Sequence, residues 1–333
     1  MFKCSILKIG LALLWSSLGG VCISVYLGGF VLPGVGYSPV SSLWSGAPYT
    51  ESSSVGVYVI NLDQSKARWQ RIQHHLSTFP FPVHRISGIY GKSYPALRHN
   101  PNIVDLEHYR LFLKGKEPGL GEIGCYLSHC KALREFIRSS FAFAVIVEDD
   151  VTFSPTFPKI IEGLIRCKEK WDLCTFELHP LQSGWPFELP SASLFLPFGM
   201  HLCIYLKECW RAGAYLINRW AAHRLLERAL PMRLPWDMYY MRFWEFKDFQ
   251  GTIMQFTGIE PRCAFQTFGD SDIEKAGPRQ ITRTGHIKSK YRWYGRYFSF
   301  CSHLSRFMYG LWIWVRCEWK SFFPTSNAQS SKK

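Results

Sequence analysis

The chain has no internal repeat and no two cysteines separated by just two residues. Its 11 cysteines are scattered along 333 residues. An odd, scattered set of this kind does not form a disulfide framework, and in a chain of this length it favours reduced thiols within an ordinary core. The sequence therefore excludes a small, disulfide-dense secreted fold and predicts a domain that depends on apolar burial.

Charged residues are missing from most of the N-terminal region. After Lys3 and Lys8, no Asp, Glu, Lys or Arg occurs before Glu51, and residues 11–32 are mostly apolar. Twenty-two such residues can cross a bilayer as a helix, and the preceding lysines favour a cytoplasmic N-terminus. We expect residues 1–33 to be a membrane anchor, with a cleaved signal peptide as the alternative. Residues 34–54, rich in Gly, Ser and Pro, predict a linker.

This orientation would carry the following domain across the membrane, whereas reduced cysteines favour a reducing compartment. The sequence leaves the side of the membrane open. We expect the protein to be membrane-associated, either single-pass or peripheral.

Acidic residues are scarce again at the C-terminal end. Residues 279–333 contain eleven Lys or Arg and a single acid, Glu318, which gives +10 of the formal +14 of the chain. Between Tyr291 and Phe323, thirteen aromatic residues alternate with these cations. This composition favours contact with an anionic lipid surface. Nucleic-acid binding and a helix packed on the preceding domain are the alternatives, but no nucleic-acid motif is present, so we expect no nucleic-acid partner.

Between these ends, hydrophobic periodicity predicts alternating strands and helices. Such an order is typical of a largely parallel sheet with crossover helices, which binds ligands at the carboxyl ends of its strands. The predicted strands are 55–60, 83–86 and 143–148, with helices at 66–79 and 121–140; strands at 172–178 and 212–218 and a helix at 220–230 follow.

The strand at 143–148 ends in three consecutive acids, Glu148, Asp149 and Asp150. Adjacent carboxylates repel one another unless a cation offsets them, and hard oxygen ligands suit Mg²⁺ or Mn²⁺. Asn61, Leu62 and Asp63 end the first predicted strand, so we expect both groups to face one cleft. This pattern favours an enzyme that binds a metal-bound diphosphate, although an acidic solvated turn is the simpler alternative.

Five segments, in this order, resemble glycosyltransferase family 25, which includes lipopolysaccharide and collagen galactosyltransferases. The resemblance covers about residues 55–275 and implies a GT-A-type nucleotide-sugar-binding domain. One departure is Tyr90, which stands where the family pattern has an acid. The matching segments are Val59–Asp63 with Arg68, Gly121–His129, Ile146–Val151, Gly213–Asn218 and Pro235–Asp237.

The resemblance implies roles for particular acids. We expect Asp150 first and Glu148 second to bind the divalent metal, with Asp149 at the ribose or sugar of the donor. An inverting displacement needs one general base, and Asp237 is the candidate. A helix-capping role for Asp237 is the alternative, and Glu177 and Asp172 are weaker candidates for the base.

The remaining candidates are substrate-binding. Asn61, Leu62 and Asp63 suit contacts to the nucleotide, and Arg68 suits a phosphate, with a solvated surface arginine as the alternative. Glu122, Ser128 and His129 share one predicted helix and are assigned by the resemblance; the acid near the helix start also stabilises the helix dipole. Since Ser128 and His129 are adjacent, only one of them can face the cleft. Gln266 belongs to a segment that matches the family weakly.

The sequence thus predicts a mixed, mainly parallel α/β domain over residues 55–278, followed by a basic aromatic helical tail over 279–333. The expected activity is metal-dependent transfer of a hexose, galactose from UDP-galactose, to a glycan of a glycolipid such as lipopolysaccharide or of a glycoprotein. Two alternatives stay open at this point. They are a metal-dependent phosphohydrolase or nucleotidyltransferase, and an inactive membrane-bound scaffold of the same fold.

Overall fold

A computed structural model describes residues 54–177, 179–180, 188–196, 199–206, 209–267 and 289–322. The expected anchor at 1–33, nearly all of the expected linker and the expected boundary at 278/279 lie outside these residues. None of the helices within the described ranges is both long enough and apolar enough to span a bilayer. Every cysteine whose side chain is described is a free thiol, as the scattered spacing predicts.

Strands and short helices alternate through the first half of the chain, as the periodicity predicts. In chain order the strands are β1 (Val55–Asn61), β2 (Val83–Ser87), β3 (Phe143–Glu148), β4 (Val151–Phe153), β5 (Leu173–Thr175), β6 (His179–Pro180), β7 (Glu188–Leu196), β8 (Met200–Tyr205), β9 (Cys209–Trp210), β10 (Ala214–Asn218), β11 (Phe256–Glu260) and β12 (Ala264–Gln266). The α-helices are α1 (Lys66–Leu76), α2 (Leu106–Phe112), α3 (Leu120–Arg138), α4 (Phe157–Arg166), α5 (Arg219–Arg228), α6 (Trp236–Tyr240) and α7 (Ser289–Phe322).

The main sheet has eight strands in the order β2-β1-β3-β10-β5-β11-β8-β7. β1 pairs in parallel with both β2 and β3, and β11 pairs in parallel with β5. β10 is antiparallel to both β3 and β5, and β8 is antiparallel to both β11 and β7. Only β8 and β10 therefore run against the common direction, so the mixed, mainly parallel sheet is confirmed, and it fits a GT-A-like fold.

Both faces of this sheet are covered, which explains why its central strands are apolar throughout. Alternate residues of β1 point to opposite sides: Val57 and Val59 pack in the core beneath α1 and α4, whereas Tyr58 packs in the core beneath α3 and α5. The first core includes Phe157 and Ile161 of α4, both fully buried. Burial of one such side chain contributes about 1.5–3 kcal/mol.

Two predicted elements differ in their limits. The helix predicted to reach Phe79 ends at Leu76, because Pro80 follows and the residue before a proline avoids the helical conformation. The strand predicted over 172–178 is reduced to β5, because only Leu173–Thr175 pair with the neighbouring strands β10 and β11.

The tail forms one long helix, α7, and it packs on the catalytic domain, which was one of the alternatives for this segment. Phe298 stacks on Phe112 of α2 with a ring separation of 4.0 Å. Arg306 is buried and donates to the carbonyl oxygen of Met241 at 2.6 Å. The predicted helical tail is confirmed. These contacts involve only one face of α7 and do not define the role of the opposite face.

Candidate active site

The carboxyl ends of β1 and β3 meet, as the parallel order predicts. The two strands are neighbours in register, with Ile60 opposite Glu148. Beyond these positions the Asn61 amide nitrogen donates to Asp149 Oδ2 at 2.6 Å. Two groups separated by 88 residues in the sequence therefore share one edge of the sheet.

Asp149 is held on its other side by α1. Arg68 Nη1 donates to Asp149 Oδ1 at 3.0 Å, and the carboxylate is mostly buried. Asn61 Oδ1 in turn accepts two hydrogen bonds from Arg85, at 2.9 and 2.8 Å. Burial raises the pKa of Asp149, while Asn61 and Arg68 oppose that rise. These contacts fix the acidic segment rigidly against β1.

Asp63 and Leu62 lie at the rim of this edge. Asp63 is exposed, and Ser87 Oγ and Arg85 Nη2 donate to its two oxygens at 2.7 and 2.8 Å. These hydrogen bonds, that of Ser87 first, lower the pKa of Asp63. The Leu62 carbonyl accepts from the Ser65 amide at 2.9 Å and forms the turn into α1.

Glu148 and Asp150 converge on a third residue, Gln266. The Gln266 amide nitrogen lies 3.1 Å from Glu148 Oε2 and 3.1 Å from each Asp150 oxygen. Pairing of β12 with β4 places Gln266 opposite Val151, which explains how a residue 116 positions away reaches Asp150. The two carboxylates assigned to the metal thus face one point.

The pKa values of Glu148 and Asp150 shift in opposite directions. Burial raises the pKa of Asp150 to about 7, and the neighbouring charge of Glu148 adds to the effect. Burial also acts to raise the pKa of Glu148, but the hydrogen bond and charge of His129 outweigh it, and the net shift is downward. At neutral pH Glu148 is therefore ionised, whereas Asp150 is close to its midpoint.

The helix α3 presents two different faces to its surroundings. Gly124 and Ser128, four residues apart, contact the loop after β2: the Ile89 amide donates to Ser128 Oγ at 2.7 Å, and Ser128 Oγ donates to the Gly124 carbonyl at 2.6 Å. A Cβ atom on Gly124 would lie 2.3 Å from the Ile89 carbonyl oxygen. This face is structural, and Ser128 points away from the acidic segment.

The next pair along α3, Cys125 and His129, faces Glu148. His129 Nε2 donates to Glu148 Oε1 at 3.1 Å, and Cys125 Sγ lies 3.8 Å from the same oxygen. His129 is fully buried, stacks on Trp236 at 5.0 Å and has Nδ1 at 3.2 Å from the Tyr215 hydroxyl. As expected for adjacent residues, His129 and Ser128 diverge.

Glu122 lies in the first turn of α3. Its Oε2 accepts from the Gly119 amide at 3.4 Å, and Tyr109 donates to its Oε1 at 2.5 Å. An acid at this position satisfies a free amide of the helix start and interacts favourably with the helix dipole. Glu122 therefore has a capping role in this structure.

Asp237 lies in the first turn of the short helix α6 and is half-buried. Its Oδ1 accepts from the Met238 amide at 2.9 Å. Its charge also acts on Cys125: burial, then the charges of Glu148 and Asp237, raise the pKa of that thiol well above its usual value. Because Glu148 and Asp237 both act on the same thiol, Asp237 lies in the same region as Glu148.

The two weaker base candidates separate clearly. Glu177 follows β5 and accepts from the Gln266 amide at 2.6 Å and from Arg211 at 2.7 Å. It therefore lies at the edge of the sheet that holds Glu148 and Asp150, which we call the acidic edge. Asp172 precedes β5, and β5 runs in the same direction as β3. Asp172 is therefore at the opposite edge of the sheet and has no part in the site.

The donor set fits a divalent cation. Glu148 and Asp150 offer carboxylate oxygens around one point, where burial and then the charge of Glu148 raise the pKa of Asp150. Oxygen ligands of this kind suit Mn²⁺ or Mg²⁺. A second grouping of ligand atoms, from Cys125, His129 and Glu148, lies within 4.8 Å and contains softer ligands.

Sequence reasoning missed the supporting residues. Arg85 lies in β2 and carried no motif, although its place one strand away from Asn61 follows from the parallel order. Cys125 carried a usable signal, because the spacing of four residues to His129 puts both on one face of a helix. Gln266 was noted only as a weak match, and its contact depends on strand pairing that the sequence does not reveal.

Comparisons with known proteins identify the family of this chain. The family model described as Glycosyltransferase family 25 (LPS biosynthesis protein) matches residues 55–240. A protein of Anopheles gambiae named Glycosyltransferase 25 family member is 26% identical over 203 residues, which are 58% of this chain and 32% of that protein. Procollagen galactosyltransferase 1-A of Xenopus laevis is 26% identical over 189 residues, 55% of this chain and 30% of that protein.

A third relative, from Rattus norvegicus, is 28% identical over 254 residues, 70% of this chain and 44% of that protein, and is named Probable inactive glycosyltransferase 25 family member 3. The chain spans about a third of the length of the first two relatives. Because the family model matches more than half of the 333 residues, this protein belongs to glycosyltransferase family 25.

Proposed function

We propose that this protein transfers a hexose, galactose from UDP-galactose, to a hydroxyl group of a glycan carried by a glycolipid such as lipopolysaccharide or by a glycoprotein. The proposal rests on family membership and on one observation above all: Glu148 and Asp150 converge on a single point at the edge where β1 ends. A nucleotide sugar has a diphosphate that needs a cation and a nucleoside that needs polar partners; carboxylates for the cation and polar side chains for the nucleoside lie together at this edge.

Glu148 and Asp150 would hold a divalent cation, Mn²⁺ or Mg²⁺. When bound, that cation would neutralise the charge that develops on the leaving diphosphate. His129 keeps Glu148 ionised at neutral pH and fixes one of its oxygens, which leaves Oε2 directed toward Gln266 and Asp150. The buried histidine is therefore a positioning residue for Glu148.

The rim at the end of β1 would bind the nucleotide. Asn61 and Arg68 both donate hydrogen bonds to Asp149, so their main effect is to hold that carboxylate rigidly in place. Asp63 is exposed and ionised at neutral pH, so its carboxylate would accept a hydrogen bond from a ribose hydroxyl. Rigid placement matters because transfer requires the reactive carbon to be held in line with the acceptor hydroxyl.

The acceptor hydroxyl must lose a proton to a base in an inverting displacement. Asp237 is the proposed base, because it is half-buried and its charge raises the pKa of Cys125, whose thiol lies beside Glu148.

The decisive test is a screen of nucleotide sugars with and without Mn²⁺, read out as nucleotide release and as sugar incorporated into acceptor glycans. We expect metal-dependent transfer from UDP-galactose, and its loss by at least about a hundredfold in Asp150→Asn and Glu148→Gln. Glu162→Gln, an exposed carboxylate on α4, is the matched control and should retain activity. Transfer that persists in chelator, or in Asp150→Asn, would remove the metal assignment.

The proposed base has its own test. Asp237→Asn should lower turnover by about 10²–10⁴-fold and leave donor affinity nearly unchanged. Reduced unfolding stability with unchanged turnover would instead assign Asp237 to the start of α6.

The same screen separates the alternative functions. Nucleotide release that needs no acceptor would favour a phosphohydrolase. Failure to bind any nucleotide sugar in the presence of Mn²⁺ would favour an inactive scaffold, a possibility given weight by the Rattus norvegicus relative that is named as inactive.

A further inference from the structure

One face of α7 is fixed against the domain. The residues of this face are Gly295, Arg306, Gly310 and Ile313, all buried. A Cβ atom on Gly295 would lie 2.5 Å from the Lys114 side chain, and one on Gly310 would lie 2.9 Å from Leu206. Glycine at both positions allows the helix backbone to approach the domain closely.

Arg306 adds a polar and aromatic anchor to this face. It donates to the Met241 carbonyl and lies over the rings of Phe243, Trp244 and Phe256 at 5.6, 5.3 and 5.9 Å. At the start of the helix, Lys290 and Tyr291 both bind Glu107, at 2.8 and 3.0 Å. These contacts fix the rotation of α7 about its own axis.

The opposite face is apolar. Spacings of four and three residues alternate along it, so its members form one line on the helix surface. Trp293 is 68% exposed and Phe300 is 65% exposed, so the described part of the chain leaves most of both side chains open to solvent. We name this line the outer stripe; its members are Trp293, Tyr297, Phe300, Leu304, Phe307 and Leu311.

We propose that the outer stripe of α7 docks on the surface of a membrane that contains anionic lipid, with α7 lying in the plane of the interface. The stripe supplies Trp, Tyr and Phe, which favour the headgroup boundary, and Arg292 and Arg296 are exposed beside it. The region 279–333 has a formal charge of +10. A negatively charged surface is the occupant that complements both features.

Charge also decides against the other occupants. A second copy would bring the same stripe and the same +10 region, so association through α7 would place like charges together. A polyanion such as nucleic acid would satisfy the cations, and its bases would stack on the aromatic rings, but Leu304 and Leu311 of the outer stripe would be left without an apolar partner. A lipid surface offers an anionic headgroup layer above an apolar layer, and α7 matches that order.

The test uses the full chain and a photoreactive amino acid. p-Benzoylphenylalanine in place of Phe300, on the outer stripe, is compared with the same residue in place of Phe249, which is 94% exposed and lies outside α7. Each protein is irradiated with vesicles of phosphatidylcholine alone or of phosphatidylcholine mixed with phosphatidylglycerol, and adducts are identified by mass. This readout reports on α7 itself, whatever other part of the chain contacts lipid.

We expect lipid adducts at position 300 on the mixed vesicles, at least about tenfold more than at position 249 and than on phosphatidylcholine alone. Adducts between two protein chains at position 300 would overturn the proposal in favour of a second copy. Absence of adducts, or equal yields on the two kinds of vesicle, would overturn it as well.

Substitutions supply an independent measurement. Phe300→Asp and Arg296→Glu should each weaken anionic-lipid-dependent vesicle binding by about fivefold or more, whereas Phe249→Asp should not. The thermal unfolding midpoint serves as the folding control and should stay unchanged in all three, because these side chains are exposed. Unchanged lipid dependence in Phe300→Asp and Arg296→Glu would refute the docking surface without bearing on the transferase reaction.

Discussion

Removal of one negative charge from the acidic edge should stabilise the metal-free protein. Burial, together with the charge of Glu148, raises the pKa of Asp150 from 3.8 to about 7. A shift of this size corresponds to about 4 kcal/mol, which is a ceiling because the two carboxylates share the penalty. Asp150→Asn removes the charge, and its carbonyl oxygen can still accept from Gln266.

The pH dependence has a definite sign. Below about pH 3 the carboxyl group is protonated in the folded and unfolded states alike and costs nothing. As the pH rises toward 7, the unfolded state ionises first, so wild-type stability falls relative to Asp150→Asn; above about pH 7 the difference is constant. We expect the Asn variant to be more stable by about 2–4 kcal/mol at pH 8 and equal to wild type near pH 3.

Denaturant unfolding in the presence of a chelator, repeated across this pH range, measures the difference. Asp63→Asn is the matched control, because that exposed carboxylate has a lowered pKa and its removal should bring no gain at pH 8. Mn²⁺ at a thousand times its Kd should then reverse the order, since a ligand at that concentration stabilises the wild type by about 4.1 kcal/mol. An Asn variant no more stable than wild type at pH 8 would refute the assignment of uncompensated charge to Asp150.

Three further substitutions test the surroundings of the site. Gly124→Ala should destabilise the protein by about 1–3 kcal/mol in denaturant unfolding, because the new methyl group would lie 2.3 Å from the Ile89 carbonyl oxygen; an unchanged midpoint would contradict the close contact. Gln266→Leu should lower stability at pH 8 by about 1–3 kcal/mol, since both carboxylates at the end of β3 lose their shared donor, and an equal loss at pH 4 would argue against that cause. Asp237→Asn should speed alkylation of Cys125, followed by peptide mass mapping, because one of the charges that raise the pKa of this thiol is removed; an unchanged rate would place Asp237 away from the site.

The first half of the fold could be predicted because its signals are local. Periodicity alone identifies β1, α1, β2, α3 and β3, and parallel order then brings Asn61 to the acidic segment. The limits of β5 were less predictable, because they depend on its pairing with β10 and β11, two strands that lie far away in the sequence.

The second half was harder because long-range pairing dominates it. The sequence analysis did not identify α4, β8 or β11, although the last two lie in the main sheet. The strand β12 is three residues long, and no local pattern indicates that it pairs with β4. For this reason the contact of Gln266 with Glu148 and Asp150 followed only from the three-dimensional structure.

The sequence by itself determined that this chain carries a mixed α/β domain with acids at a strand end, and a tail that is basic and aromatic. Those properties depend on composition and on spacing within one segment, and neither of these changes with the tertiary contacts of that segment. Only the tertiary structure decided that His129 faces Glu148 while Ser128 turns away, and that Asp172 belongs to the opposite edge. The same holds for α7, because the packing of Gly295 and Gly310 selects which of its faces remains exposed; direction in space is a property of contacts between distant segments.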